Sequence, residues 1–142
     1  MKPGRALDVL VHERVMGLAV YRDTVRIHGT NEVISYWDGP IENNDASIVP
    51  YYSDAIASAW TVADAIHAMI SNQRIDGKRT DLNFLELAVL GRHAGVAVSF
   101  NPNNRRNWWE YADSIPFSAR GETAAHAICL AALKVVNKKT VR

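Results

Sequence analysis

The residues of this chain that could do chemistry are few and lie far apart. Its five histidines are dispersed, and its one cysteine, Cys129, sits in an apolar stretch. No pair of them has the spacing of a metal site, and neither a glycine-rich phosphate loop nor a nucleophile elbow is present. A thiol within an apolar helix is inert because burial disfavours the thiolate. We therefore expect no catalytic residue, no metal and no cofactor, and we do not expect an enzyme.

Binding residues are densest in the stretch 101–111. It combines two cations with three aromatic rings: Arg105, Arg106, Trp108, Trp109 and Tyr111. Guanidinium groups form planar, bidentate contacts with phosphate or carboxylate, and aromatic rings stack on bases. The preceding Asn-Pro-Asn-Asn is typical of a surface turn. We predict that an anionic ligand or an acidic partner surface binds here, and that replacing both arginines by alanine weakens binding without altering stability. The structural alternative is a turn followed by a strand with one tryptophan in the core.

Secondary binding candidates are Tyr51 and Tyr52, which precede a predicted helix at 53–72. Helix N-termini attract anions, and Ser53 is a good N-cap residue for this helix. Its apolar stripe recurs at spacings of three and four: Ile56, Ala59, Trp60, Ala63, His67 and Ile70. The pattern predicts that Trp60 anchors the core, where its replacement by alanine would cost roughly 3–5 kcal/mol.

Two further helices are predicted, at 6–17 and 123–137. The first has an apolar face that leaves Asp8 and His12 mainly outside it. The last is capped by Thr123 and is apolar almost all round, which is typical of a helix buried on more than one side.

Strands are predicted in the remaining segments from their Val, Ile, Tyr and Thr content. The first region, 19–28, has a turn at Arg22 and Asp23. The other predicted strands are 32–37, 82–90, 96–100 and 108–112. The segment 82–90 also suits a helix, but Gly91 to Gly95 favours a turn that joins two strands in a hairpin. The expected architecture is α+β, with helices packed on an antiparallel sheet.

Composition is that of a soluble globular protein. The 142 residues suffice for one domain, here 1–142 with a short basic tail at 137–142. A net charge of +1 gives no general attraction to nucleic acid. The chain lacks an apolar run of about 18 residues and an N-terminal signal peptide. A single cysteine fits a reducing compartment, so we expect a cytoplasmic location.

Three stretches resemble the phage ABA-sandwich domain family, small proteins of phages and prophages. They are Leu7–Val11 with Glu13–Gly17, then Pro50–Ser53 with Ala59–Trp60, and finally Ala127–Lys134. Family members often carry Thr-Asp after the serine, where this chain has Asp54-Ala55, and tryptophan where it has Leu18. The resemblance implies helices on a central antiparallel sheet in three layers, α/β/α, and implies no catalytic residue.

The resemblance favours a phage or prophage accessory protein that acts by binding. It would be a counter-defence inhibitor in the cytoplasm of the infected or lysogenic bacterial host. Its partner would be a host defence protein or a nucleotide-type signal molecule, and no membrane is expected. A nucleic-acid-binding module using 101–111 is the alternative, and a small enzyme of unrecognised type is the second. A homodimer is also expected, because exposed sheet edges invite pairing and symmetric dimers are common.

Overall fold

The computed structural model describes residues 1–27, 31–40, 42, 46–71, 74–75, 78–79, 85–90, 95–100 and 107–140. The helices are α1 (Arg5–Arg14), α2 (Ile56–Ser71) and α3 (Ala124–Thr140), with a 3-10 helix η1 (Trp108–Ser114). The strands are β1 (Tyr21–Ile27), β2 (Asn31–Trp37), β3 (Arg74–Ile75), β4 (Lys78–Arg79), β5 (Glu86–Val89), β6 (Val96–Ser99) and β7 (Ser118–Gly121). All strand pairs are antiparallel, in the orders β1–β2, β3–β4 and β5–β6–β7. The α+β prediction is confirmed.

The three-stranded sheet lies between a helical layer and η1. Val98 and Ala119, directly opposite each other, belong to the main core that the three α-helices complete. Ala97 points to the other side, where it packs with Trp108 and Ala112 of η1. Side chains alternate across a strand, so the two sides bury separate apolar clusters. We call them the helix side and the η1 side of the sheet.

Helix α3 is the centre of the helical layer. It packs against β6 and β7 on one flank and against α1 and α2 on others. Buried residues occur all round it, including Ile128, Cys129 and Val135. This confirms the prediction of a helix buried on more than one side. Among the described residues no helix is both long and apolar enough to cross a membrane.

The start of α3 is fixed by close contacts. The Thr123 hydroxyl accepts the His126 N–H at 3.2 Å, which confirms the predicted cap. The His126 ring reaches back to the Glu122 N–H at 2.9 Å. At the end of β7, a Cβ on Gly121 would lie 2.5 Å from the backbone nitrogen of Ala127. Only glycine therefore lets the helix approach the sheet this closely.

The β1–β2 hairpin corrects one prediction. Arg22 and Asp23 do not form a turn: they lie within β1, opposite Tyr36 and Ser35 of β2. The strand continues through both to Ile27, because ladder pairing along its full length outweighs the weak turn preference of two charged residues. The predicted strand at 32–37 is confirmed.

The segment 108–112 corrects a second prediction, that of a strand. It is the start of the 3-10 helix η1, not a strand, and Asn107 before it has a left-handed φ of 57°. Helical winding brings Trp108, Ala112 and Ile115 to one buried cluster, which a strand could not do at these spacings. Packing therefore outweighs the strand propensity of the aromatic residues. The predicted hairpin of 82–90 with 96–100 is confirmed for β5 and β6, while residues 82–84 and 91–94 lie outside the described ranges.

Candidate binding surface at the start of helix α2

A buried carboxylate ties α1 to the segment that precedes α2. The Asp8 Oδ1 accepts hydrogen bonds from the Ser53 N–H at 2.8 Å and from the Ser53 hydroxyl at 2.7 Å. Its Oδ2 accepts one from the Arg5 guanidinium at 2.9 Å. Asp8 and Ser53 are both fully buried. The prediction that Asp8 and His12 lie outside the apolar face is therefore wrong, because Asp8 has polar partners inside the fold.

Ser53 is not the N-cap of α2, which begins three residues later at Ile56. Its hydroxyl instead donates to Asp8 and accepts the N–H of Gly4 at 2.9 Å. A hydrogen bond to a charged acceptor is about twice as strong as a neutral one. The carboxylate therefore holds the serine in preference to a local helix cap.

Arg5 completes this arrangement and reaches the surface. Its guanidinium donates to the carbonyl of Val49 at 2.7 Å as well as to Asp8. Its Cζ lies 4.0 Å from the centroid of the Tyr51 ring. Tyr51 is half exposed, so Arg5 holds one face of an aromatic ring whose remainder is open to a partner.

Tyr52 faces inward, contrary to its assignment as a binding candidate. It is 2% exposed, and its hydroxyl hydrogen-bonds to His12 Nδ1 at 2.8 Å. Burial, and to a lesser extent the charges of Asp38 and Asp8, raise the pKa of Tyr52 to about 12. Burial also lowers the pKa of His12, which Asp38 opposes. Tyr52 is therefore a core residue, while Tyr51 remains at the surface.

The outer side of α2 carries Ile56 and Trp60, which are 46% and 47% exposed. They are one turn apart and so lie on the same side of the helix. The prediction that Trp60 anchors the core is wrong. The buried stripe is instead formed by smaller residues: Ala59, Val62, Ala63 and Ile66. Tyr51 lies at the same end of α2, since its carbonyl accepts the Ala55 N–H at 2.8 Å. We call Tyr51, Ile56 and Trp60 the α2 surface.

Charge near the α2 surface is negative. Asp54 and Asp64 are exposed, and the segment from Asp54 to Ser71 contains no lysine or arginine. The nearest cation in the network, Arg5, is already paired with Asp8. The surface therefore combines apolar rings with acidic groups, which disfavours an anionic ligand.

The stretch 101–111 is only partly described. Arg105 and Arg106 lie outside the described residues, so their assignment stays a prediction. Trp108 is buried, and Trp109 packs edge-to-face on it with ring centroids 6.1 Å apart. Tyr111 is 60% exposed. The structure therefore places Trp108 in the core, Trp109 partly buried beside it, and Tyr111 at the surface.

Cations that lie near η1 in the described ranges are engaged with backbone carbonyls. The Arg120 guanidinium donates to the Trp109 carbonyl at 3.3 Å, and the Lys134 ammonium donates to the Asp113 carbonyl at 2.9 Å. Burial lowers the pKa of Lys134. No three His, Cys, Asp or Glu side chains of the described ranges group as they would around a metal ion.

Comparison with known proteins places the chain in a family. The family model of the phage ABA sandwich domain matches residues 9–133. The chain belongs to this family. Among solved structures, a phage protein from Bacillus cereus ATCC 14579 is similar over 96% of this chain and 93% of its own, with 20% identity and a TM-score of 0.50. That likeness concerns the fold alone. No curated protein matches the chain.

Within this phage ABA sandwich domain, sequence reasoning missed the roles of Arg5 and Trp60. A signal for Trp60 was present: Ala59, Val62, Ala63 and Ile66 follow the i, i+3, i+4, i+7 pattern without it. Arg5 gave no such signal, since its partners Val49 and Tyr51 are more than forty residues away in the chain.

Proposed function

We propose that this phage ABA sandwich domain is an accessory protein that acts by binding, and that it counters host defence by occupying a host protein. The observation that carries the proposal is the α2 surface, where a tyrosine, an isoleucine and a tryptophan are about half exposed. Membership of a phage protein family supports the biological setting.

The α2 surface has the composition of a protein-binding site. Tryptophan, tyrosine and arginine are the residues most enriched among binding hot spots. Tyr51 is held by Arg5, which Asp8 and Val49 hold in turn. A ring that is ordered before binding loses little conformational entropy on association. Preorganisation of this kind supports a binding role better than a structural one, because an exposed tyrosine needs no such support for stability.

Charge indicates the chemistry of the partner. Asp54 and Asp64 flank the apolar residues, and this part of the chain offers no free cation. A complementary surface would have an apolar pocket for Trp60 and basic groups at its rim. We therefore infer a host protein with a basic, partly apolar contact surface as the occupant. A nucleotide signal would be repelled by the same acidic groups.

A nucleotide or nucleic-acid ligand remains the second candidate, at a different place. It depends on Arg105 and Arg106 together with the exposed ring of Tyr111. This alternative offers a matched control, because Trp60 and Tyr111 are both exposed aromatic residues on separate elements.

Native mass spectrometry of the chain, purified gently from its bacterial host, tests the proposal. We expect a complex with a host protein that Trp60→Ala weakens at least tenfold and Tyr111→Ala leaves intact. Because Trp60 is half exposed, its replacement should cost about 1 kcal/mol or less of stability. Thermal melting of both variants checks that each is folded.

Two outcomes would overturn the proposal. One is a bound species of nucleotide mass that is lost on Tyr111→Ala or on the double change Arg105→Ala with Arg106→Ala. The other is a protein complex that survives Trp60→Ala unchanged.

A further inference from the structure

The two edges of the β5–β6–β7 sheet differ in how their backbone groups are satisfied. At the β7 edge, the outward groups belong to Ser118 and Arg120. The Arg120 N–H donates to the Asp113 carboxylate at 3.1 Å, and the Ser118 carbonyl accepts from the Lys134 ammonium at 2.6 Å. The Ser118 N–H donates to the Ile115 carbonyl at 3.4 Å. Three of the four outward backbone groups at this edge are therefore satisfied by the protein's own residues.

The β5 edge is open. Leu90 N–H donates to the Gly95 carbonyl, so Leu90, Ala88 and Glu86 direct their backbone groups toward β6. The N–H and C=O groups of Leu87 and Val89 therefore point outward. They make no hydrogen bond with any residue in the described part of the chain. An edge strand with unpaired groups is a template for another strand, and proteins normally protect it with a charge, proline or bulge.

The side chains of β5 also distinguish the β5 edge from the β7 edge. Ala88 and Leu90 pack on the η1 side against the cluster of Trp108. Leu87 and Val89 point to the helix side, where α3 covers β6 and β7, and they are 41% and 75% exposed. The strand thus has unpaired backbone groups and exposed apolar side chains at the same two residues.

We propose that β5 pairs antiparallel with β5 of a second copy of this chain, about a two-fold axis centred on Ala88. In this register Leu87 lies opposite Val89 of the second copy, and Val89 opposite its Leu87. Both are hydrogen-bonded pairs, so the four outward N–H and C=O groups of each β5 are satisfied by those of the other. Ala88 of one copy lies opposite Ala88 of the other as a non-hydrogen-bonded pair, the narrow kind in which the Cα atoms are closer together.

The register favours a second copy over another strand because β5 is complementary to itself. The two-fold axis preserves the sides of the sheet, so each exposed apolar side chain meets an apolar side chain on the helix side. The only charge of the strand, Glu86, lies opposite Leu90 of the second copy and so avoids its own symmetry mate. The result is a continuous six-stranded sheet with a β7 edge at each end.

Cysteine cross-linking tests the register. Directly opposed residues of a narrow pair have Cα atoms about 4.5 Å apart, within the range of a disulfide. Ala88→Cys should therefore form a covalent dimer on mild oxidation. Leu87→Cys is the matched control and should not, because the two copies of residue 87 lie two positions out of register, beyond disulfide reach. Cross-linking through residue 87 and not residue 88 would overturn the register.

Sedimentation tests the pairing without a new cysteine. The parent chain should sediment at twice the mass of the 15.8 kDa monomer at micromolar concentration. Val89→Lys should return it to a folded monomer that still unfolds cooperatively, since the side chain is exposed in the single chain. Val33→Lys, a matched change at another exposed strand residue, should leave the dimer intact. A monomeric parent, or a dimer unaffected by Val89→Lys, would overturn the proposal.

Discussion

Among the buried polar residues near the start of α2, which include Asp8 and Ser53, His12 has one ring nitrogen without a hydrogen-bond partner in the described part of the chain. Its Nδ1 bonds to the Tyr52 hydroxyl, whereas Nε2 is buried with no hydrogen-bond partner among the described residues. The ring is 2% exposed, and burial lowers its pKa below the ordinary 6.5 despite the nearby Asp38. His12 therefore binds a proton less readily in the folded protein than in the unfolded chain.

We expect acid to destabilise the protein through His12. Above about pH 6.5 the residue is neutral in both states and contributes no pH dependence. As the pH falls through 6.5, the unfolded chain gains a proton that the folded chain refuses, so the free energy of unfolding decreases until the lowered folded pKa is reached. Urea unfolding at a series of pH values measures this. His12→Asn should be less stable at pH 8 but show a shallower decline.

One outcome would contradict this assignment. If the free energy of unfolding fell as steeply with pH in His12→Asn as in the parent, the buried ring would not be the source of the decline.

At the scale of elements, the contact between α1 and the residues before α2 is polar. Helix α1 has only ten residues and no side-chain cap at Gly4. Isolated helices of this length are marginal, so its stability comes from its packing and from Asp8. The same carboxylate fixes Ser53 and Arg5, and through Arg5 it positions Tyr51.

Asp8→Ala should cost roughly 3 kcal/mol, because it leaves the buried donors of Ser53 and the Arg5 guanidinium without their acceptor. Asp8→Asn should cost less, since the amide oxygen can still accept from Ser53. Denaturant unfolding gives both values. The exposed Glu13 on the same helix is the control, and Glu13→Ala should change stability by no more than about 0.5 kcal/mol. Equal costs for Asp8→Ala and Glu13→Ala would contradict the role of the carboxylate.

At the scale of the whole molecule, α3 packs against both the sheet and the other helices. The reactivity of its buried Cys129 therefore shows whether these elements have come apart. The thiol is fully buried in the main core. Burial, and to a lesser extent the charges of Asp8 and Asp54, raise the pKa of the Cys129 thiol to about 12. The thiolate can therefore attack an alkylating reagent only when the sheet and helices come apart.

We expect iodoacetamide to label Cys129 only when the protein unfolds. In native buffer at pH 8 the labelling should be many times slower than for a free thiol, and in urea its onset should follow the global unfolding midpoint. Tryptophan fluorescence under the same conditions gives that midpoint. Labelling at the rate of a free thiol in native buffer would show that the core opens locally around α3.

Features that depend on residues close together in the chain could be predicted from the sequence alone. Apolar spacing predicted the three helices, Thr123 predicted the cap of α3, and the motifs predicted the family. Features that depend on distant residues could not be predicted, because the sequence pattern does not show which segments meet in the folded protein. Ser53 does not cap α2, because its hydroxyl donates to the charged carboxylate of Asp8, forty-five residues earlier in the chain. Trp60 faces outward because α2, which packs against α3, buries a stripe of smaller side chains instead: Ala59, Val62, Ala63 and Ile66. Periodicity locates an apolar stripe, but only the packed neighbour decides which of its residues are covered.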